Sequence, residues 1–257
     1  MNARRGELIH LDRRQPAPPV FEPIYRPRIM QRLAQAARYP IALIIAPAGY
    51  GKSVALRHYL RDAEVTHVRY NVKREGATLP GFVRGLVESL ESIAPKALTS
   101  LPSALGQDAS GKEEAQRLAA WLQAHLRKYE GLIVVDDFHV AENDAAVSTF
   151  LAELIERTRE SSRWLIASRD SLDLPVASWM AYGHADMPVD DVDLRFNIEE
   201  ATAAAEASSV AIRPDELARL LDVTGGWATA LTFALRTSIR TVDLAGIEAG
   251  TRGMIYR

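Results

Sequence analysis

The chain has 257 residues, 47% of them hydrophobic and 25% charged, an ordinary globular composition long enough for one large domain or for a domain plus a small appendage. A net charge of −2 gives no overall electrostatic pull toward nucleic acid, so contact with DNA would need a local basic patch or a further segment. Disulfides and cysteine-ligated metals are excluded because the chain has no cysteine, and no apolar run approaches the ~20 residues of a membrane-spanning helix.

Residues 1–23 begin with "MNARRGELIHLDRRQPAPP", which has arginines and prolines but no apolar stretch. This reads as an extended arm and not as a secretory signal, so the expected location is cytoplasmic, with no membrane partner. "RIMQRLAQAARY" then carries Ile29, Leu33, Ala36 and Ala37 at helical spacing. "IALIIA" (41–46), bounded by Pro40 and Pro47, is a short continuous apolar run that suits a strand buried on both faces. A helix is expected from Lys52 to Asp62, a strand over 65–72 and a helix over 79–93, and 99–112 reads as a loop. The helix over 113–129 is amphipathic. "GLIVVDDF" (131–138) is a third strand, 144–159 a helix, "RWLIASRD" (163–170) a fourth strand, and "ADMPVDDVDLRF" (185–196) a short fifth.

Strands alternating with helices predict an α/β fold with a parallel sheet flanked by helices. From Asn197 onward three helices follow with no strand between them. The expected organisation is therefore an arm (1–23), a core (24–196) and a small helical subdomain (197–257).

Two motifs carry the chemistry. Ala46-Pro47-Ala48-Gly49-Tyr50-Gly51-Lys52-Ser53 follows the P-loop pattern, with Ala46 in place of its first glycine. An apolar strand precedes the loop and a helix follows it, as phosphate binding requires. Gly49 and Gly51 let the backbone turn its N–H groups inward, and the helix directs its positive end at the same anion. Lys52 would reach the β- and γ-phosphates, and Ser53 would hold Mg²⁺. The nucleotide-binding set is then Ala48, Gly49, Tyr50, Gly51, Lys52, Ser53 and Val54. Tyr50, and Arg28 ahead of the first strand, would pack near the nucleotide or serve structure alone.

The second motif, "LIVVDD", delivers Asp136 and Asp137 at the C-terminal end of a strand, the edge at which nucleotides sit in open α/β sheets. Asp136 suits the metal and Asp137 the orientation or deprotonation of an attacking water. Arg169, at the end of the fourth strand, would sense or stabilise γ-phosphate charge. No Asn-Lys-x-Asp element for reading guanine is present, so ATP and ADP are the expected nucleotides, with Mg²⁺.

"YRPRIMQRL", "APAGYGKS", "VVDDFH", "ASRDSLDLP", "DLRFNIEEA" and "TGGWATAL" occur here in that order. Together they resemble the signal-transduction ATPases with numerous domains (STAND), specifically the ATPase modules of maltose-activator-like and LuxR-type transcription regulators. The resemblance covers residues 24 to 240. It implies an AAA-like P-loop core followed by a helical subdomain, a resting state that holds ADP, and self-association when ATP and an inducer bind. It also implies DNA binding through a distant C-terminal domain that this chain does not include.

By motif position Lys52, Asp137 and Arg169 take the catalytic roles, and Ser53 and Asp136 the metal roles. The chain departs from the family in two places. "ASWMAYGHADM" (177–187) has no arginine, and Gly226-Trp227-Ala228 lacks the proline of the Gly-x-Pro motif. Trp227 is accordingly expected to anchor the core of the small subdomain. The chain stops where the family continues into a winged helix, so an N-terminal fragment is expected. The functional expectation is a slow ATPase that serves as a regulatory switch. A P-loop kinase or other phosphotransferase, or a module that holds ADP without turnover, stands beside it.

Overall fold

The computed structural model describes residues 23–238 apart from 64, 106–110 and 171. Residues 1–22 of the expected arm (1–23) and residues 239–257, Arg240 among them, lie outside the described residues.

Pro27 opens α1 (Pro27–Ala36) at its first turn, where a missing N–H costs nothing. Then come β1 (Ile41–Ile45), α2 (Lys52–Asp62), β2 (His67–Asn71), α3 (Leu79–Ser89), α4 (Pro95–Ala104), α5 (Gly111–Leu126) and β3 (Leu132–Asp136). α6 (Ala145–Thr158), β4 (Arg163–Ser168), α7 (Val176–Ala181) and α8 (Asp191–Leu194) complete the core region. The helical subdomain consists of α9 (Ile198–Ala207), α10 (Pro214–Thr224) and α11 (Ala228–Ser238).

The four strands form one parallel sheet in the order β1-β4-β3-β2. One face packs on α3 to α6 around Phe82, Phe138 and Phe150, whose rings meet edge to face. The other face packs on α1 and α2 through Ala42, Ile44, Val134 and Leu165. Because both faces are covered, β1 and β3 read as unbroken apolar runs and not as alternating ones. Asp144 ties two helices to this frame: one carboxylate oxygen caps α6 at Ala146 N (2.9 Å), and the other accepts from Leu79 N at the start of α3 (3.0 Å).

Three expectations need correction. The segment 185–196 is not a fifth strand. It touches β1 at two isolated parallel bridges, Ile41 with Ala185 and Ile44 with Val189. Pro188 has no N–H for a ladder, and the reciprocal cap between Asp190 and Asp193 turns the chain into α8. The 99–112 loop is in part helical: α4 runs to Ala104 with Pro102 inside it, burying Ala97, Leu101 and Ala104 at helical spacing. α7 also went unread; it buries Trp179, whose indole N–H donates to Glu156 (2.5 Å).

α9 to α11 enclose their own apolar cluster of Ala201, Ala204, Leu217, Leu220, Leu231 and Leu235. Ile24 and Phe196 pack against this cluster from the core side. Among the described residues, no helix is long and apolar enough to cross a membrane.

Candidate nucleotide site

A cavity of about 630 Å³ opens between the C-terminal edge of the sheet and the helical subdomain. Its floor is the loop after β1 and the first turn of α2, including Ala48, Gly49, Gly51, Lys52, Ser53 and Val54. Asp137 and Arg169 line it from the ends of β3 and β4. Ala228, Thr229, Thr232, Phe233 and Arg236 of α11 face the loop, and Pro23, Ile24, Arg26 and Met30 close the N-terminal side.

The loop turns on two left-handed glycines, Gly49 (φ +80°) and Gly51 (φ +85°). Gly51 is the residue preceding α2, whose first N–H groups have no partner within the helix. A Cβ at Gly51 would meet nothing within 4 Å, so the loop is open there. The Lys52 ammonium donates to the loop's own carbonyls, at Ala46 and at Pro47 (3.0 Å). Burial, and then the charge of Arg169, hold this ammonium below the ordinary lysine range, while Asp137, Asp136 and Asp170 pull it back.

The paired aspartates point in different directions. Asp136, at the end of β3, is 1% exposed and does not line the cavity. Its carboxylate accepts from Arg69 Nη2 (2.5 Å) and from Asp137 N (3.0 Å). Asp137 has left-handed backbone angles (φ 58°, ψ 37°), a conformation that aspartate tolerates better than most residues. The following 3₁₀ turn buries Phe138 completely, while the Asp137 carboxylate stays at the cavity. His139 Nδ1 lies 3.8 Å from Asp137 Oδ1; burial, then the charge of Arg169, push this imidazole's pKa below its ordinary value.

Two residues singled out from the sequence lie elsewhere. Tyr50 does not line the cavity but packs against Trp227, with ring centroids 6.4 Å apart. Arg28 turns away to the carbonyls of Asp193 and Arg195 (2.7 Å each), because α1 presents it to the α8 turn. Arg26 lines the cavity instead. It bonds Leu194 O, Arg195 O and Glu200 Oε2 and stacks over Phe196 at 4.2 Å. Nothing in the local sequence distinguishes Arg26 from Arg28; the partners that separate them lie more than 160 residues away.

Trp227 also departs from expectation. It is half-buried and lies outside the apolar cluster of the small subdomain. Its indole N–H donates to Ala48 O (3.0 Å), and the N–H and hydroxyl of Thr229 both donate to Gly49 O (3.0 Å each). Two carbonyls of the phosphate loop are therefore held by the entry to α11.

The donor set fits a magnesium nucleotide. Magnesium takes hard oxygen ligands and is held by one or two carboxylates together with substrate phosphates, not by a cage made wholly of protein. Ser53 and Asp137 at the cavity, with Asp136 just beneath, are such donors. Among the described residues no group of three or more His, Asp or Glu forms a self-sufficient metal site.

Solved structures share this architecture. The Walker-type ATPase PABY2304 of Pyrococcus abyssi superposes with a TM-score of 0.58 at 14% identity, over 92% of this chain and 72% of that one. The STAND protein PH0952 of Pyrococcus horikoshii, which has a tetratricopeptide repeat sensor, gives 0.56 at 19% identity, over 93% and 34%. The likeness is one of fold alone: a parallel sheet flanked by helices, followed by further helices.

Among curated proteins, the chain is 26% identical over 230 residues to the HTH-type transcriptional regulator AlkS of Ectopseudomonas oleovorans, covering 87% of this chain and 25% of AlkS. It is 27% identical over 221 residues to the HTH-type transcriptional regulator MalT of Yersinia pestis, covering 84% and 24%. The chain thus spans about a quarter of the length of these relatives. A family profile described as AAA domain matches residues 36–173, more than half of the chain. That span holds the phosphate loop, both aspartates and Arg169 together, and the chain belongs to the AAA domain family.

Proposed function

We propose that this chain is the nucleotide-operated switch module of a STAND-type transcription regulator, binding ATP and ADP with Mg²⁺ and hydrolysing ATP slowly. The observation that carries the reading is the grip of Trp227 and Thr229 on the carbonyls of Ala48 and Gly49. A phosphate loop bonded directly to a separate helical subdomain can pass its occupancy on as a change of domain position. The regulators AlkS and MalT, which share this segment, support the same direction.

In this reading the loop N–H groups from Ala48 to Val54 cradle the phosphates. Lys52 exchanges its bonds to Ala46 O and Pro47 O for phosphate oxygens, at no net loss of hydrogen bonds. Ser53 and Asp136 hold the metal, which supplies charge neutralisation at the phosphates. Asp137 orients the attacking water and takes its proton, and Arg169 faces the charge that develops on the terminal phosphate. The core runs from residue 24 to 196 and the moving part begins at 197. DNA contact, the inducer and self-association belong to a longer regulator.

A kinase-type lid would bring several clustered arginines from the helical part; among the described residues there, Arg236 of α11 lines the cavity, whereas Arg219 of α10 and Arg213 just before it do not. The test is direct. Denaturing the purified protein should release ADP. Lys52→Ala should weaken ATP binding at least a hundredfold by calorimetry, because a charge-assisted bond to phosphate is lost from a buried site. Unchanged affinity in that variant would remove the cradle assignment.

A further inference from the structure

Along β2 the side chains alternate: Val68 and Tyr70 enter the aromatic face of the sheet. Arg69 therefore lies on the opposite face, in register with Val134 of β3, where Val134 and Leu132 pack toward α2. An arginine on that face needs a partner, and it finds one two residues further along β3. Its Nη2 donates to Asp136 Oδ2 at 2.5 Å. Since Asp136 Oδ1 accepts from Asp137 N, both oxygens of this buried carboxylate are already engaged by protein donors.

The pairing is one-pronged. Arg69 Nε is buried without a hydrogen-bond partner, so the guanidinium is not locked in the bidentate fork that makes such pairs strongest. The Arg69 side chain is 31% exposed, against 1% for that of Asp136, so the cation has a route to water and the carboxylate has none. A divalent ion reaching Asp136 directly would have to displace a positive charge already seated on it.

We propose that Arg69 is a positioning residue that competes with Mg²⁺ for Asp136 and so sets the magnesium concentration at which the nucleotide is held in its metal-loaded form. This rests on the reading of Asp136 as the metal carboxylate. Removing one partner of a buried ion pair leaves an uncompensated charge. Without Arg69 that charge is negative, and a divalent cation answers it. A site with Arg69 in place then loads at a higher free magnesium concentration than the bare carboxylate would.

The experiment follows the binding of a fluorescent ADP analogue to the full 257-residue chain while Mg²⁺ is titrated from an EDTA-treated start. Arg69→Gln should lower the Mg²⁺ midpoint about tenfold, which corresponds to ~1.4 kcal/mol. Arg69→Lys, which keeps the charge, should fall between this and wild type. Nucleotide affinity in EDTA should be the same for all three. If Arg69→Gln loses its helical circular dichroism, Arg69→Met gives the same readout with an apolar stem on the same face. Equal midpoints, or a higher midpoint in the neutral variants, would overturn the proposal. Wild-type protein that binds no nucleotide at any Mg²⁺ concentration would instead overturn the nucleotide reading beneath it.

Discussion

Gly49 and Gly51 share a left-handed backbone and one loop, yet the structure assigns them different costs when a methyl group is added. At Gly51 (φ +85°) a Cβ meets nothing within 4 Å, so Gly51→Ala carries only the strain of a left-handed residue, about 1–2 kcal/mol. At Gly49 (φ +80°) the same strain applies, and the Cβ would also lie 2.4 Å from Thr229 Oγ1 and 2.6 Å from Trp227 Nε1. Those are the atoms that bond Gly49 O and Ala48 O. Relieving the overlap costs both side-chain bonds, at about 0.5–1.5 kcal/mol each. Gly49→Ala should therefore exceed Gly51→Ala by about 2 kcal/mol, read as a lower urea midpoint by far-UV circular dichroism. The excess should disappear when Trp227 and Thr229 are both replaced by alanine, since a double-mutant cycle isolates the shared contact. Equal midpoints for the two glycine variants would refute the claim that the subdomain rests on the loop.

Two further expectations concern the carboxylates. Burial raises the Glu200 carboxyl, but hydrogen bonds and charges from Arg26, then Arg28, outweigh it and hold its pKa below the ordinary 4.5. A carboxylate lowered on folding contributes stability in full above the ordinary value and loses it as pH falls through the folded one. Glu200→Gln should cost about 3 kcal/mol at pH 7, because it leaves the buried Arg26 uncompensated, and the gap should narrow as pH falls below 4.5; thermal melts showing a gap independent of pH would contradict this. Asp137→Asn, which tolerates the left-handed backbone, should bind ATP as wild type does and lose hydrolysis, whereas Asp137→Ala should also lose about 1 kcal/mol of stability. Phosphate release at the wild-type rate from Asp137→Asn would take the water-activating role away from this residue.

The parts legible in the sequence are those fixed by local pattern. "IALII" and "LIVVD" are apolar runs of strand length, and Gly-Lys-Ser between strand and helix can turn in few ways. The sheet and the loop could be read because each element carries its own signal. α4 was obscured by Pro102, which sits in the helix while Leu101 and Ala104 fill the core on either side of it; here packing overrides propensity. The false fifth strand came from reading composition over 185–196 without the stop imposed by Pro188.

Within the candidate site, residues supplied by their own motif were found, and residues supplied across the chain were not. The role of Trp227 depends on a carbonyl 179 positions earlier, and Arg69 meets Asp136 through strand register. Neither relation leaves a periodicity. The one available hint for Arg69 was its position inside a strand, "HVRYN", where a charge facing a covered side of the sheet calls for a buried partner.

The grip of Thr229 on Gly49 also has a mechanical side. α11 is 11 residues long, so it is a rod of about 16 Å with its first turn fixed to the phosphate loop. A rod pinned at one end magnifies rotation at the other: a tilt of about 10° at Thr229 displaces the last turn by roughly 3 Å, for the same 16 Å rod. That is more than half a helical turn's rise, and packed interfaces do not absorb such a shift without changing partners. Under the proposed function, a movement of under an ångström around a phosphate would be read out, one helix length away, at the scale on which protein surfaces associate or part.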